Sequence, residues 1–277
     1  MAQWLVAAKR ADFQKMAEQY KIDPVIARLI RNRDVVGDEE IRKYLDGGVE
    51  DLYSPALLKD MDRAVEVLKD KIASGAKIRI IGDYDADGIC ASYVLLKGLS
   101  VCGARADTVI PHRVKDGYGL NESLLEDAAK DGIDTVVTCD NGIAAAAQIA
   151  YGRQLGLTVV VTDHHEIPYE EGEDGSRMYL LPEAAAVVDP KREDCGYPCK
   201  NICGAVVAYK LVQQLLEEYG KKEILEELLE IAAFATVCDL MELKDENRII
   251  VKCGLKNMRH TKNLGLKALM EVCGIEA

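Results

Sequence analysis

Three short apolar runs, each closed by an acidic residue and the first two followed by helical patterns, restrict this chain more than anything else in it. The runs lie at 77–83, 135–139 and 158–162, with Asp140 and Asp163 directly after the second and third. Val136-Val137 and Val159-Val160-Val161 are near-continuous apolar stretches, as expected of strands buried on both faces. Strands that alternate with helices predict an α/β chain with a parallel sheet flanked by helices. Such sheets bind ligands beyond the carboxyl ends of their strands, which is where the acidic motifs fall.

The rest of the chain fits around that pattern. From 11 to 46 it reads as short helices, with Asp23-Pro24 as an N-cap and first-turn proline. Ile26, Leu29 and Ile30 repeat at helical spacing, and Gly47-Gly48 ends a helix that opens at Asp38. Residues 1–55 therefore read as a helical collar packed on a main unit spanning 56–277. Within that unit, helices are expected at 60–74, 88–102, 121–131 and 143–155, with a further strand at 106–110. Residues 167–182 read as an exposed loop, 187–190 as a short strand with a stop, and 194–201 as another loop. Four helices, at 205–219, 223–237, 247–258 and 264–272, complete the chain.

Composition excludes several classes. The 277 residues are 49% hydrophobic and 30% charged, an ordinary globular balance. No apolar run is long enough for a membrane span. Met1-Ala2-Gln3-Trp4-Leu5 lacks a basic segment followed by an apolar one, so no signal peptide is expected. The nine cysteines suit free thiols in a cytoplasmic protein. Cys195 and Cys199 have the look of a zinc half-site, but no partner pair follows. A net charge of −12 argues against coating nucleic acid by bulk charge. It leaves room for an enzyme that grips phosphates through cations, because carboxylate ligands themselves add negative charge.

The chemistry concentrates at the strand ends. In Gly82-Asp83-Tyr84-Asp85-Ala86-Asp87-Gly88, three aspartates alternate; on a strand they would share one side. A solvated acidic turn is the plainer explanation of that stretch alone. Asp140, and then Asp163-His164-His165, repeat the theme. Asp85, Asp87, Asp140 and His164, joined later by Asp239, form a carboxylate–imidazole set suited to Mn²⁺ or Mg²⁺. Such a set can hold two divalent cations that clamp a phosphate and acidify a water. Adjacent residues of an extended segment point apart, so His165 is expected to serve the substrate phosphate or leaving oxygen instead. Asp163 is placed behind a ligand histidine as its orienting partner. Asp83 is either a weak ligand or a supporting group.

Two further stretches offer substrate contacts. Pro111 to Asn121 follows a strand and carries Arg113 and Tyr118, which suit a phosphate and a base. Asn201-Ile202-Cys203-Gly204 enters a helix whose free N–H groups could take phosphate oxygens. Against these stand a solvated loop and a glycine needed only for close packing.

The three strand-end motifs, Gly82 to Gly88, Thr138-Cys139-Asp140-Asn141-Gly142 and Thr162-Asp163-His164-His165, resemble the successive motifs of the DHH phosphoesterase superfamily. In detail the chain is similar to the RecJ family of single-strand-specific DNA exonucleases. Ile110 to Arg113, Gly117 to Leu120, Asn201 to Ala208, Ala235 to Asp239 and Glu246-Asn247-Arg248 carry that likeness. Trp4, Asn32-Arg33 and Asp60-Met61 extend it into the N-terminal part. The resemblance implies 5′→3′ degradation of single-stranded DNA with Mn²⁺ or Mg²⁺, in DNA repair and recombination. It implies Asp85, Asp87, Asp140, His164 and Asp239 as metal ligands, His165 as the phosphate-side catalytic residue, and Arg113 and Tyr118 as DNA contacts. It further implies a cytoplasmic monomer whose partners are repair or replication proteins. Full family members continue into a second domain with a glycine-rich, histidine-containing motif, and then an OB-fold. Neither pattern occurs here, so the sequence is expected to be the catalytic DHH part alone. Two other outcomes stay open: a DHH phosphodiesterase for short RNA or cyclic dinucleotides, and a non-catalytic DHH scaffold. The former group tends to carry a histidine where this chain has Asp83.

Overall fold

The computed structural model describes residues 9–115, 117, 119–172 and 174–275. Three short helices open it: α1 (Phe13–Tyr20), α2 (Pro24–Asn32) and α3 (Asp38–Asp46). The Asp23 side chain caps α2 by accepting from the Val25 N–H at 2.7 Å, with Pro24 in the first turn. α3 leans on a later helix, through the Arg248 side chain, which donates to the Tyr44 carbonyl at 2.5 Å.

Next come α4 (Met61–Ala73), β1 (Lys77–Ile81), α5 (Ala86–Val101), β2 (Arg105–Val109), α6 (Glu122–Lys130), β3 (Thr135–Cys139), α7 (Ala146–Gln154) and β4 (Thr158–Thr162). A short antiparallel pair, β5 (Tyr169–Glu171) and β6 (Arg177–Tyr179), interrupts the alternation before β7 (Ala186–Val188). Helices α8 (Gly204–Tyr219), α9 (Leu225–Cys238), α10 (Asp245–Met258) and α11 (Leu264–Val272) follow. The main sheet has five strands in the order β2-β1-β3-β4-β7, all parallel. Among the described residues no helix is long and apolar enough to cross a membrane.

The period-2 geometry of a strand sorts its side chains between two cores. Ile78, Ile80, Val137, Cys139 and Val160 join α4, α5, α8 and α9 on one face. Ile81, Val136, Val159 and Val161 join Leu125, Ala128 and Ile149 of α6 and α7 on the other. A layer of helices on each face is what the near-continuous valine runs required.

Two expectations change. Residues 167–182 are not a plain loop but hold the β5–β6 pair, where the Tyr169 and Tyr179 rings meet across the strands at 5.8 Å and Arg177 lies over Tyr169. Its polar, exposed character hid that pairing. More consequentially, β1 stops at Ile81 and α5 begins at Ala86. The three aspartates are thus not alternate residues of one strand. Asp83 lies in the turn, Asp85 is the N-cap of α5 and Asp87 sits in its first turn. Asp85 accepts from the Gly88 N–H at 2.9 Å, the usual work of an aspartate cap. Gly88 is required by proximity: a Cβ there would lie 2.6 Å from the Asp83 backbone.

A charged network is buried behind the sheet. Lys210 of α8 and Glu246 of α10 pair at 2.6 Å with neither side chain exposed. Glu246 also accepts from the Tyr53 N–H at 2.7 Å and from the Tyr197 hydroxyl, while Lys210 donates to the Tyr53 carbonyl at 2.7 Å. The network fastens the segment before α4, the loop before α8, and both helices to one another.

Candidate metal centre

Every strand of the main sheet except the edge strand β2 ends close to a carboxylate. Asp83 and Asp85 follow β1, Asp140 follows β3, Asp163 follows β4 and Asp189 follows β7. Asp239 comes from a helix instead, at the C-terminal end of α9. Asp140 holds a left-handed backbone at φ 59°, which a non-glycine residue adopts at a cost of about 1–2 kcal/mol. Such strain tends to sit where function requires an unusual side-chain direction.

These elements bring the anticipated ligands together. His164 Nε2 lies 2.9 Å from Asp140 Oδ1, 3.6 Å from Asp87 Oδ2 and 3.9 Å from Asp239 Oδ2. Three overlapping groups each place their ligand atoms within 4.8 Å of one another: Asp83 with Asp85 and Asp140, Asp87 with His164 and Asp239, and Asp140 with His164 and His165. Asp83, Asp87, Asp140 and His164 are buried, Asp239 is half-buried and Asp85 is exposed.

So many carboxylates in one buried place repel. Burial, then the Asp87 and Asp85 carboxylates, hold the Asp140 carboxyl well above its ordinary range. The same causes push Asp239 up to about 6, and burial also raises Asp83. Burial lowers His164, which favours the neutral imidazole that a metal ligand must present. Asp83 Oδ1 and Asp239 Oδ2 are buried with no hydrogen-bond partner. Unpartnered buried carboxylate oxygens are costly, and a divalent cation is the partner that fits oxygen and imidazole donors alike.

The two adjacent histidines depart from the expected geometry. Residues 163–165 are not extended strand, and the rings do not point apart: their centroids lie 4.5 Å from one another at a tilt of 52°. Nor does Asp163 orient the ring of His164. Its Oδ1 lies 2.7 Å from Nδ1 of His165 and also accepts from the His164 N–H at 2.7 Å, while Oδ2 accepts from the Ile143 N–H at 2.9 Å. Burial alone would raise the Asp163 carboxyl, but those donors bring it below its usual value. The Asp163 hydrogen bond in turn raises His165. The carboxylate beside Nδ1 favours a proton on that nitrogen.

The expected helix-start contacts take another form. The N–H groups of Gly204 and Ala205 are spent on Asp87, at 2.6 and 2.8 Å to its two carboxylate oxygens. They are not free for phosphate. Gly204 is needed for close approach, since a Cβ there would come within 2.7 Å of the Asp140 Cβ. Asn201 is exposed, and its carbonyl accepts from Asn247 at 2.6 Å. Arg113 is exposed and lies 4.9 Å over the Tyr84 ring, with its charge acting on Asp83. Tyr118 lies outside the described residues.

Sequence reasoning missed two members of this edge. Asp189 is fully buried, its Oδ2 has no partner, and burial lifts its carboxyl to about 7. Its signal was present: Val187-Val188-Asp189 repeats the apolar run closed by an aspartate. Lys191 pairs with Glu166 at 3.0 Å and its charge acts on both His165 and Asp239. No local pattern marks it.

A parallel sheet gathering acidic and histidine side chains that could hold a cation at its carboxyl edge is the layout of a cation-dependent phosphoester site. The chain belongs to the DHH family: residues 77–236 match the DHH family, N-terminal domain. It is 39% identical over 261 residues to the single-stranded-DNA-specific exonuclease RecJ of Bacillus subtilis (strain 168), covering 94% of this chain and 31% of that protein. Its fold is similar to the crystal structure of RecJ in complex with Mn²⁺ from Thermus thermophilus, with a TM-score of 0.76 and 28% identity over 95% of this chain and 36% of the other. A crystal structure of exonuclease RecJ bound to manganese gives a TM-score of 0.70 and 31% identity over 80% of this chain and 54% of the other. The chain spans less than half the length of the curated relatives it matches.

Proposed function

We propose that this chain is the catalytic DHH unit of a RecJ-type exonuclease, which removes nucleotides from the 5′ end of single-stranded DNA in repair and recombination. The convergence of Asp85, Asp87, Asp140, His164 and Asp239 within one small volume carries this reading. Similarity to RecJ proteins, two of them crystallised with manganese, supports it. In this reading the division near residue 55 separates a helical buttress from the DHH unit.

Asp83, Asp85 and Asp140 hold one divalent cation, and Asp87, His164 and Asp239 the other. Asp140, which joins both groups of neighbours, stands between them. Asp83 is a ligand here rather than a support, because its buried Oδ1 has no other partner. Bound Mn²⁺ or Mg²⁺ supplies charge neutralisation, an acidified water and stabilisation of the leaving oxygen. Asp163 fixes His165 so that Nε2 faces the substrate phosphate or leaving oxygen. Asp87 joins the site to α8 through the Gly204 and Ala205 amides, so the helix start positions a ligand rather than a phosphate. Arg113 serves the DNA strand, held in place over Tyr84.

Incubation with 5′-labelled single-stranded DNA, short RNA and a cyclic dinucleotide, each with Mn²⁺, tests this function. Release of 5′-mononucleotides from DNA alone is the expected result, abolished in Asp140→Ala. Turnover of the cyclic dinucleotide in preference to DNA would contradict it. His165→Ala is expected to lower turnover by about 10²–10⁴-fold while retaining manganese affinity. Collapse of metal binding in that variant would make His165 a ligand.

A further inference from the structure

Beside the metal centre lies a cavity of about 340 Å³, which the chemistry above does not use. Its size falls in the range of small-molecule sites, about 300–1,000 Å³. His165 and Asp163 form the wall it shares with the ligand cluster, and the turn between β3 and α7 forms another. Leu120, Ile143 and Ala144 supply apolar surface. Among the described residues that line it there is no lysine or arginine, and the Asp163 carboxylate stands in its wall. Apolar surface without a lysine or arginine suits a flat neutral heterocycle.

The polar groups of the cavity match the edge of such a ring. Asn141 is 1% exposed and gives its Nδ2 protons to the Ile81 and Cys139 carbonyls at 3.2 and 3.0 Å. Its Oδ1, on the other side of the amide, is buried with no partner. An acceptor left unpaired in this way is costly, and a ligand N–H would offset that cost. Close by, α7 begins at Ala146 with no side-chain cap from Ala145 and no acidic residue in its first turn, so its first amides remain as donors. Gln148 adds an amide on the same side. Acceptor and donors together complement the mixed edge of a nucleobase, whose four DNA forms all carry at least one N–H donor and one acceptor.

We propose that this cavity receives the base of the nucleotide whose phosphate lies at the metal centre, with Asn141 Oδ1 accepting from its N–H donor. The site rests on the phosphodiester reading of the cluster. It selects for a nucleoside end without choosing among the bases, because the partner it offers is common to all of them. His165, in the wall between cavity and ligands, lies between the base and the phosphate it serves.

Calorimetric titration of the chain with Mn²⁺ alone, then with deoxyguanosine monophosphate or 2-deoxyribose 5-phosphate in the presence of Mn²⁺, tests this. The nucleotide is expected to bind about tenfold or more tightly than the sugar phosphate. Ala144→Phe, which fills the cavity from its exposed rim, is expected to bring the two within about twofold, whereas Ala144→Ser keeps the preference. Equal affinities in the parent chain, or a preference that survives Ala144→Phe, overturn the base site. If Mn²⁺ binds while the nucleotide gains nothing over the sugar phosphate, the base site fails and the metal reading stands. If Mn²⁺ does not bind, both fail.

Discussion

Two regions of this molecule bury charge, and they do so in opposite ways. Around Lys210 and Glu246, each charge meets its opposite, and the Tyr53 backbone and Tyr197 hydroxyl take further hydrogen bonds. At the carboxyl edge of the sheet, carboxylates crowd against carboxylates, and Asp83, Asp189 and Asp239 each keep an oxygen without a partner. The first arrangement is complete as polypeptide and serves to join elements. The second becomes balanced only with added positive charge. Completeness, rather than burial itself, separates a structural polar cluster from a functional one.

Breaking each cluster should therefore have opposite consequences. Lys210→Ala leaves Glu246 buried and unpaired, and should cost about 3–5 kcal/mol in urea-melt stability. A loss near zero would make the network dispensable and erase the contrast. At the acidic edge, Asp189 has a folded value of about 7, above its unfolded one, so it binds its proton more tightly in the folded chain. Its contribution is present below about pH 4 and lost as pH rises toward 7. Metal-free chain should lose stability across that window, by up to a few kcal/mol, and Asp189→Asn should make the loss shallower, the raised carboxyls of Asp140 and Asp239 still contributing. A flat curve in the parent chain would mean that Asp189 already has a positive partner. Smaller again, Gly204→Ala should cost about 1–3 kcal/mol, because its methyl drives against Asp140. Cation affinity should fall along with it; an unchanged affinity would show that Asp140 can move without harm.

Much of this was legible in the residues. The valine runs dictated buried parallel strands, and β3 and β4 fall where their periodicity placed them. Most of the cluster at that edge was readable because apolar runs closed by Asp recur, and a sheet delivers such ends to one place; Asp239, at the end of α9, lies outside that pattern. What escaped was short-range geometry. Asp83, Asp85 and Asp87 look like strand alternation, but an aspartate two residues before Asp87 is also an ideal helix cap, and capping won. The partner of Asp163 depends on a turn that no periodicity describes, so the carboxylate reached His165 rather than His164. Asp87 claims the amides of α8 from 117 residues away in the chain, a contact that local pattern does not encode. Asp189 shows the converse case, a signal of the recurring kind in a run too short to stand out.

The central claim is that the acidic edge is unfinished without cations. Manganese titration of metal-free chain, followed by calorimetry and by thermal melting, tests it directly. Two Mn²⁺ ions per chain are predicted, as a paired site requires. Saturation at about a hundredfold above Kd should add about 2.7 kcal/mol of stability per ion bound, and Asp140→Ala should lose both binding and gain. A parent chain that binds no manganese, or an Asp140→Ala variant stabilised as much as the parent, would contradict the account.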